Sequence, residues 1–436
     1  ATGEVKAIAN LNKTKSGGYW ETYNYAVGES TEPGSTFKLA SLIAALEDGY
    51  IDLDDSVETG NGMYKFYDQK MYDSKIGGYG KITIKRAFEI SSNIAVARTI
   101  NENYRNNPQK FIDRLYKMNL HQKLGIKIYG EGEPRIKSAN DPTWSGISLP
   151  WISHGYEVSL TPLQILAFYN AVANDGKMVK PFFVKEIRKI GKPIKTFNPV
   201  IINPAICSKA TIEKAKAMLE GVVQQGTAKN LRNANFKIAG KTGTAQIYNA
   251  KTGYKNDKQV SYQASFVGYF PAKNPMYSCI VVVNAPSKNV YYGNLVAGPI
   301  FKEIADKVYA TSIQLHEEIK NTAQFAERTP IPVSKNGNRF DLNSVYSELK
   351  VPSLQNGENA TWVAASTGRD KVTLYKRVFK AGIIPNFIGM DLKDAIYIIE
   401  NMGLKADFTG KGIIKEQTPN AGTKIENFDR VKLILT

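Results

Sequence analysis

Three short stretches carry residues that could do nucleophilic chemistry. In EPGSTFKLASLIAALEDG, Ser35 precedes Lys38 by one helical turn. Residues at that spacing share a helix face, so a hydroxyl and an amine would stand side by side. Leu39, Leu42, Ile43 and Leu46 form one apolar stripe around them, and Phe37, Ala40 and Ala44 form another. A helix apolar on most sides belongs in a core. Lysine is almost never fully buried without a partner. Desolvation and a second nearby cation would lower its pKa and leave a neutral base beside the Ser35 hydroxyl. The dipole at a helix N-terminus also favours the negative charge that develops there. In the bland alternative Lys38 reaches solvent and Ser35 merely caps. That reading suits most S-x-x-K sequences, which arise by chance about one to three times in a chain of this length. Ser347-x-x-Lys350, in the polar segment NSVYSELKVP, is one of these and reads as surface.

The second stretch is Ser91-x-Asn93, between the helical segments TIKRAFEI and IAVARTI. Residues two apart in a tight connection can aim both side chains into one cleft. The same pattern at Ser138/Asn140, Ser287/Asn289 and Ser334/Asn336 lies in polar loops. The third is Lys-Thr-Gly, which occurs twice. Lys241-Thr242-Gly243 continues the strand-like run from Phe236 and is followed by Thr244; Lys251-Thr252-Gly253 falls where a hairpin tip is expected. Small residues around Lys241 (Ala239, Gly240, Gly243, Ala245) would let a ligand backbone come close. An extended peptide could pair with this strand, its carboxylate held by Lys241 and the threonine hydroxyls.

The elements that must position these residues are legible in outline. Ser35 can cap a helix that runs to about Asp48 and stops at Gly49. Helical, loop-rich sequence follows to about residue 176, then strand-like pieces over 177–203 and a helix over 209–224. Residues 236–248, 259–270 and 276–286 read as strands, and 297–320 as an amphipathic helix. Composition shifts at 327–338 to a Pro/Asn/Gly-rich linker, with a short helix at about 341–349. Pro385-Asn386 opens a last unit, in which Asp391 caps a helix with Leu392, Ala395, Ile396, Ile399 and Met402 on one face and Gly403 as stop.

Bulk composition narrows the classes. The chain has 436 residues, 42% of them hydrophobic, and a net charge of +17. Its basic residues are scattered and no nucleic-acid motif accompanies them, so the charge reads as a lysine-rich surface. His121, His154 and His316 show no metal-ligand spacing, and no metal or cofactor is expected. Cys207 and Cys279 sit near apolar strand-like segments and read as buried free thiols. The chain opens on ATGEVKAIANLN, a strand already under way, which predicts that the true N-terminus lies upstream.

Taken together, S-x-x-K at 35, S-x-N at 91 and K-T-G at 241 resemble the motif set of penicillin-binding proteins and serine β-lactamases. EPGSTFK, SSN, SLTPLQILAFYNAVANDGKMVKP and AGKTGTAQ sharpen this to the transpeptidase domain of a class B penicillin-binding protein, over about residues 1–315. Residues 381–436 resemble one PASTA domain. The resemblance implies an α+β fold, an antiparallel sheet flanked by helices, divided as transpeptidase 1–320, connecting subdomain 321–380 and PASTA-like domain 381–436. It implies a D,D-transpeptidase in which Ser35 forms an acyl-enzyme and Lys38 takes its proton. Ser91 relays a proton to the leaving D-Ala, while Asn93 positions the substrate amide and Lys38. Lys241, Thr242 and Thr244 would hold the terminal carboxylate, and the N–H groups of Ser35 and Thr244 would form the oxyanion hole. Implied ligands are stem peptides ending in D-Ala-D-Ala and β-lactams. The implied partners are a membrane glycan polymerase and division proteins, at the outer face of the bacterial cytoplasmic membrane, where the resemblance implies anchoring through a membrane segment upstream of this sequence. One departure is ISHGYEVSLTPLQ, where His154 and Glu157 read as surface residues at the cleft rim. The alternatives are a D,D-carboxypeptidase or β-lactamase, and a β-lactam sensor or wall-binding protein that is acylated without turnover.

Overall fold

Helix α1 (Lys38–Glu47) is buried from Lys38 through Leu46, as its two apolar stripes require. It begins later than the sequence suggests. Gly34–Thr36 form a 3-10 turn, Phe37 occupies the cap position, and no side chain caps the helix, Ser35 included. The tighter turn follows from Gly34, whose φ of +54° reverses the chain just before the helix. This is a computed structural model; it describes residues 2–233, 235–247, 261–286, 290–312, 315, 331, 333–356 and 359–436.

The stretch after α1 is not simply helical. Strands β1 (Met63–Phe66) and β2 (Gln69–Tyr72) form an antiparallel hairpin, with Tyr64 opposite Met71. Helices α2 (Ile84–Glu89) and α3 (Asn93–Tyr104) follow, and the connection between them holds Ser91. Next come α4 (Pro162–Ala173), closed at its start by a Thr161/Gln164 capping box, and α5 (Lys209–Gln224), capped by Ser208. Strands β3 (Ala239–Gln246), β4 (Tyr262–Phe270) and β5 (Tyr277–Asn284) make an antiparallel sheet in the order β3-β4-β5. Helix α6 (Gly293–Thr311) begins earlier and ends earlier than its amphipathic pattern suggests. It packs on the sheet, Phe266 meeting Phe301 edge-on at 4.7 Å, and α4 and α5 pack on it as well. One apolar core joins α1, the helices around it and the sheet. Cys207 is buried, Cys279 is partly buried, and both are free thiols.

The chain divides into two units, Ala1–Glu317 and Glu318–Thr436. In the second, β6 (Gly337–Asn338), helix α7 (Arg339–Glu348), β7 (Ser353–Asn356), β8 (Trp362–Thr367) and β9 (Val372–Lys376) build a sheet ordered β6-β8-β9-β7. Helix α8 (Leu392–Asn401) follows, with Asp391 capping the Lys393 N–H at 3.1 Å. It buries Ala395, Ile398 and Ile399, so Ile398 takes the inward place expected of Ile396, which is half-buried. Strands β10 (Lys405–Thr409), β11 (Ile414–Thr418) and β12 (Arg430–Leu435) form a sheet with β12 in the centre. Among the described residues no helix is long and apolar enough to cross a membrane.

Candidate active site

Ser35 lies in the 3-10 turn and Lys38 in the first turn of α1. Side chains three apart on such a turn eclipse one another, so the hydroxyl and the amine leave the same side. The turn is held from several directions. The Gly34 N–H donates to the Gly155 carbonyl at 3.0 Å, the Tyr169 hydroxyl donates to the Thr36 carbonyl at 2.8 Å, and the Ser41 hydroxyl donates to the Ser153 carbonyl at 2.7 Å. Ser35 itself stays half-buried.

Lys38 is 0% exposed. Its Nζ donates to the Ser91 carbonyl at 2.7 Å and to Asn93 Oδ1 at 2.6 Å, and it lies 3.2 Å from Ser91 Oγ. Burial pushes this amine down to about 7, with Asp73 drawing it back up. Lys241 is also 0% exposed. Its Nζ donates to Ser91 Oγ at 2.7 Å and to the Thr242 carbonyl at 3.0 Å, above the Phe88 ring. Burial first, and then the neighbouring Lys38 cation, hold it well below the usual ammonium range. Ser91 Oγ thus stands between two buried amines and accepts from both. The S-x-N turn delivers this with backbone strain: Ser91 has a φ of +59°, a region that non-glycine residues seldom adopt.

Along β3, side chains alternate between faces. Lys241 therefore points to the face opposite Thr242 and Thr244, toward Ser91. Thr242 Oγ1 shares a hydrogen bond with Thr227 Oγ1 at 2.8 Å, and Thr244 Oγ1 accepts from the Gly293 N–H at 3.2 Å. β3 lies at one edge of its sheet, and among the described residues no strand pairs with its outer side.

Sequence and fold carry the same likeness. Residues 1–306 match the penicillin binding protein transpeptidase domain. The chain belongs to that family. Residues 382–436 match the PASTA domain. Stage V sporulation protein D of Bacillus subtilis is 26% identical over 423 residues, covering 95% of this chain and 55% of that protein. The peptidoglycan D,D-transpeptidase FtsI of Buchnera aphidicola is 29% identical over 321 residues, covering 70% of this chain and 52% of that one. Among solved structures, penicillin-binding protein 3 of Mycobacterium tuberculosis complexed with aztreonam aligns with a TM-score of 0.58 at 28% identity, over 66% of this chain and 64% of its own. The chain spans about half the length of the curated relatives it matches.

Within this penicillin-binding fold several sequence expectations change. His154 is not at the rim. It is buried, its ring hydrogen-bonded to the Pro150 carbonyl at 2.8 Å, and burial followed by the Lys38 charge pushes it down to about 3, so it is neutral. Glu157 is half-buried: it accepts from the Ser148 hydroxyl at 2.8 Å and pairs with Lys137. The small residues of β3 serve the protein's own packing. A Cβ on Gly243 would overlap the Ser265 hydroxyl and lie 2.9 Å from Thr36 Cγ2, so the glycine lets the serine turn dock on the strand. Ser138 bonds to Gln109 and Ser334 to Tyr346, so neither further S-x-N copy joins this site. Lys251-Thr252-Gly253, Ser287/Asn289 and His316 lie outside the described residues.

Sequence reasoning missed Asp73 and Tyr72, at the end of β2. Asp73 Oδ1 accepts from the Asn93 N–H at 2.6 Å and the Ile94 N–H at 3.1 Å, and Oδ2 accepts from the Ser92 hydroxyl at 2.8 Å. The Tyr72 carbonyl accepts from Asn93 Nδ2 at 2.9 Å. The alternation in MYKF-YD-QKMY was the available signal for the hairpin that brings them there.

Proposed function

We propose that this chain is the catalytic portion of a peptidoglycan D,D-transpeptidase, which cross-links stem peptides through an acyl-serine and is acylated by β-lactams. One observation carries the reading: two buried amines, Lys38 and Lys241, meet at Ser91 Oγ, with Ser35 one turn from Lys38. Neutral Lys38 takes the Ser35 proton as Oγ attacks the carbonyl carbon of the penultimate D-Ala. The ester C–O bond forms, the C–N bond to the terminal D-Ala breaks, and the Ser91 hydroxyl passes a proton to the leaving amine while taking the one held by Lys38. Lys241 acts from beneath, holding and polarising that hydroxyl. Asn93 holds Lys38 and faces the substrate amide. The Thr242 and Thr244 hydroxyls take the terminal carboxylate beside Gly243, and the Ser35 and Thr244 N–H groups form the oxyanion hole. An amine from a second stem peptide then attacks the ester: the cross-link C–N bond forms, the ester C–O bond breaks, and the amine's proton returns through Lys38 to Ser35 Oγ.

The domain reading is a transpeptidase domain over 1–320, a connecting subdomain over 321–380 and a PASTA-like domain over 381–436. The separate sheets of the second unit and the PASTA match to 382–436 support it. Stem peptides lie in the wall, so the enzyme works in the cell envelope, at the outer face of the cytoplasmic membrane. A glycan polymerase and division proteins are its expected partners there. The test is turnover of a stem-peptide thioester with a D-amino acid acceptor. Sustained release of the exchanged product supports a transpeptidase. A single stoichiometric burst points instead to a sensor, and hydrolysis alone to a carboxypeptidase or β-lactamase.

A further inference from the structure

We infer that Asp73, which belongs to none of the three motifs, is a positioning residue of this site: it pins the turn that carries Ser91 and Asn93 and is the counter-charge to Lys38. The inference rests on the transpeptidase reading of Ser35.

Its carboxylate sits at the start of α3. Oδ1 takes the Asn93 and Ile94 N–H groups, and Oδ2 takes the Ser92 hydroxyl, which in turn caps α3 by accepting from the Ala95 N–H at 3.0 Å. A carboxylate at a helix N-terminus satisfies donors that otherwise have no intrahelical partner and complements the dipole. Together with the Tyr72 carbonyl on Asn93 Nδ2, the end of β2 makes four hydrogen bonds to the three consecutive residues 92–94. Ser91, immediately before them, is held at its left-handed φ. That conformation is unfavourable for serine and persists only where the surroundings over-determine it. The clamp supplies this, and through Asn93 Oδ1 it also fixes one of the acceptors of Lys38 Nζ.

The electrostatic part follows from what faces Lys38. From the α2–α3 connection come the Ser91 carbonyl and hydroxyl, from α3 the Asn93 amide, from β3 Lys241, and from the segment after Ser153 neutral His154. Of the charges acting on Lys38, Asp73 is the acid that raises its proton affinity against burial. An amine driven too low would be a poor proton acceptor, and one left too high would be protonated and unable to act. A carboxylate set behind the turn, without touching the amine, holds it between these limits.

The test is the pH profile of acylation by a fluorescent penicillin, comparing the unaltered chain with Asp73→Asn and Asp73→Glu. Asparagine keeps an acceptor for the α3 N–H groups and removes the charge. In the unaltered chain the rate should rise through a midpoint near 7 as Lys38 loses its proton. In Asp73→Asn that midpoint should move acidward by about half a unit or more. Asp73→Glu, with the charge kept and the clamp displaced, should hold the midpoint and lower the plateau about tenfold. A residue that only supports the fold would lower the rate without moving the midpoint, so a folded Asp73→Asn with an unmoved midpoint overturns the inference. Should Asp73→Asn not fold, Asp73→Ser decides: it keeps a side-chain oxygen for the α3 N–H groups and removes the charge, so a midpoint moved acidward supports the inference and an unmoved one overturns it. Failure of the unaltered chain to label would overturn the transpeptidase reading and this inference together, whereas labelling with an unmoved midpoint overturns this inference alone.

Discussion

Replacing Lys38 by methionine removes the buried amine while nearly keeping its volume, and the effect on stability should depend on pH. In the folded chain the amine sits at about 7. In the unfolded chain it returns to the ordinary lysine value of about 10.4. Between those values the unfolded state binds a proton that the folded state has released, so the unaltered chain gains stability as pH rises through this window. Each pH unit is worth about 1.4 kcal/mol at full slope, and the slope is halved at the folded pKa itself. From about pH 7 to about pH 9 the gain is therefore about 2 kcal/mol. Lys38→Met lacks this contribution. Its Lys241, relieved of a neighbouring cation, is also less depressed, which flattens the variant's own dependence further. The difference in unfolding free energy between variant and unaltered chain should thus shift by about 2 kcal/mol, toward the unaltered chain, over that range. Urea unfolding of both proteins at several pH values, followed by the fluorescence of Trp144 and Trp151 in the first unit, measures it. A difference that stays constant with pH would mean Lys38 remains an ammonium in the folded state, and the neutral-base argument would fail.

The remaining predictions concern β3. Lys241→Ala should reduce acylation by about a hundredfold or more, because Ser91 loses the donor that polarises it, whereas Lys251→Ala should change it by less than about threefold; stopped-flow labelling measures both. Gly243→Ala places a methyl group against Ser265 and Thr36, so it should destabilise the first unit by about 1–3 kcal/mol and slow acylation by pushing the serine turn off the strand. A melting curve and the labelling rate, taken on the same sample, check this.

The motifs were legible because their chemistry needs particular residue types at short spacing, and local sequence displays both. Lys38 could be read as buried from the apolar stripes beside it, and Lys241 could be placed in a strand from the run that begins at Phe236. What the sequence hid was set by contacts distant in the chain. Asp73 belongs to no pattern, and its partners at 92–94 reach it only because the hairpin of β1 and β2 folds back on α3. His154 looks like a surface histidine until Gly155 is seen docked on Gly34, with a φ of +93° and no space for a Cβ. The glycines of β3 suggest space for a ligand, but at Gly243 the protein fills that space with its own serine turn. Strand alternation already separated Lys241 from Thr242 and Thr244.

The most direct measurement is mass spectrometry of the tryptic digest after incubation with a penicillin. The account predicts one stable adduct, on the peptide containing Ser35, and none in Ser35→Ala. An adduct that persists in Ser35→Ala, or one carried by a different serine of the unaltered chain, would contradict it.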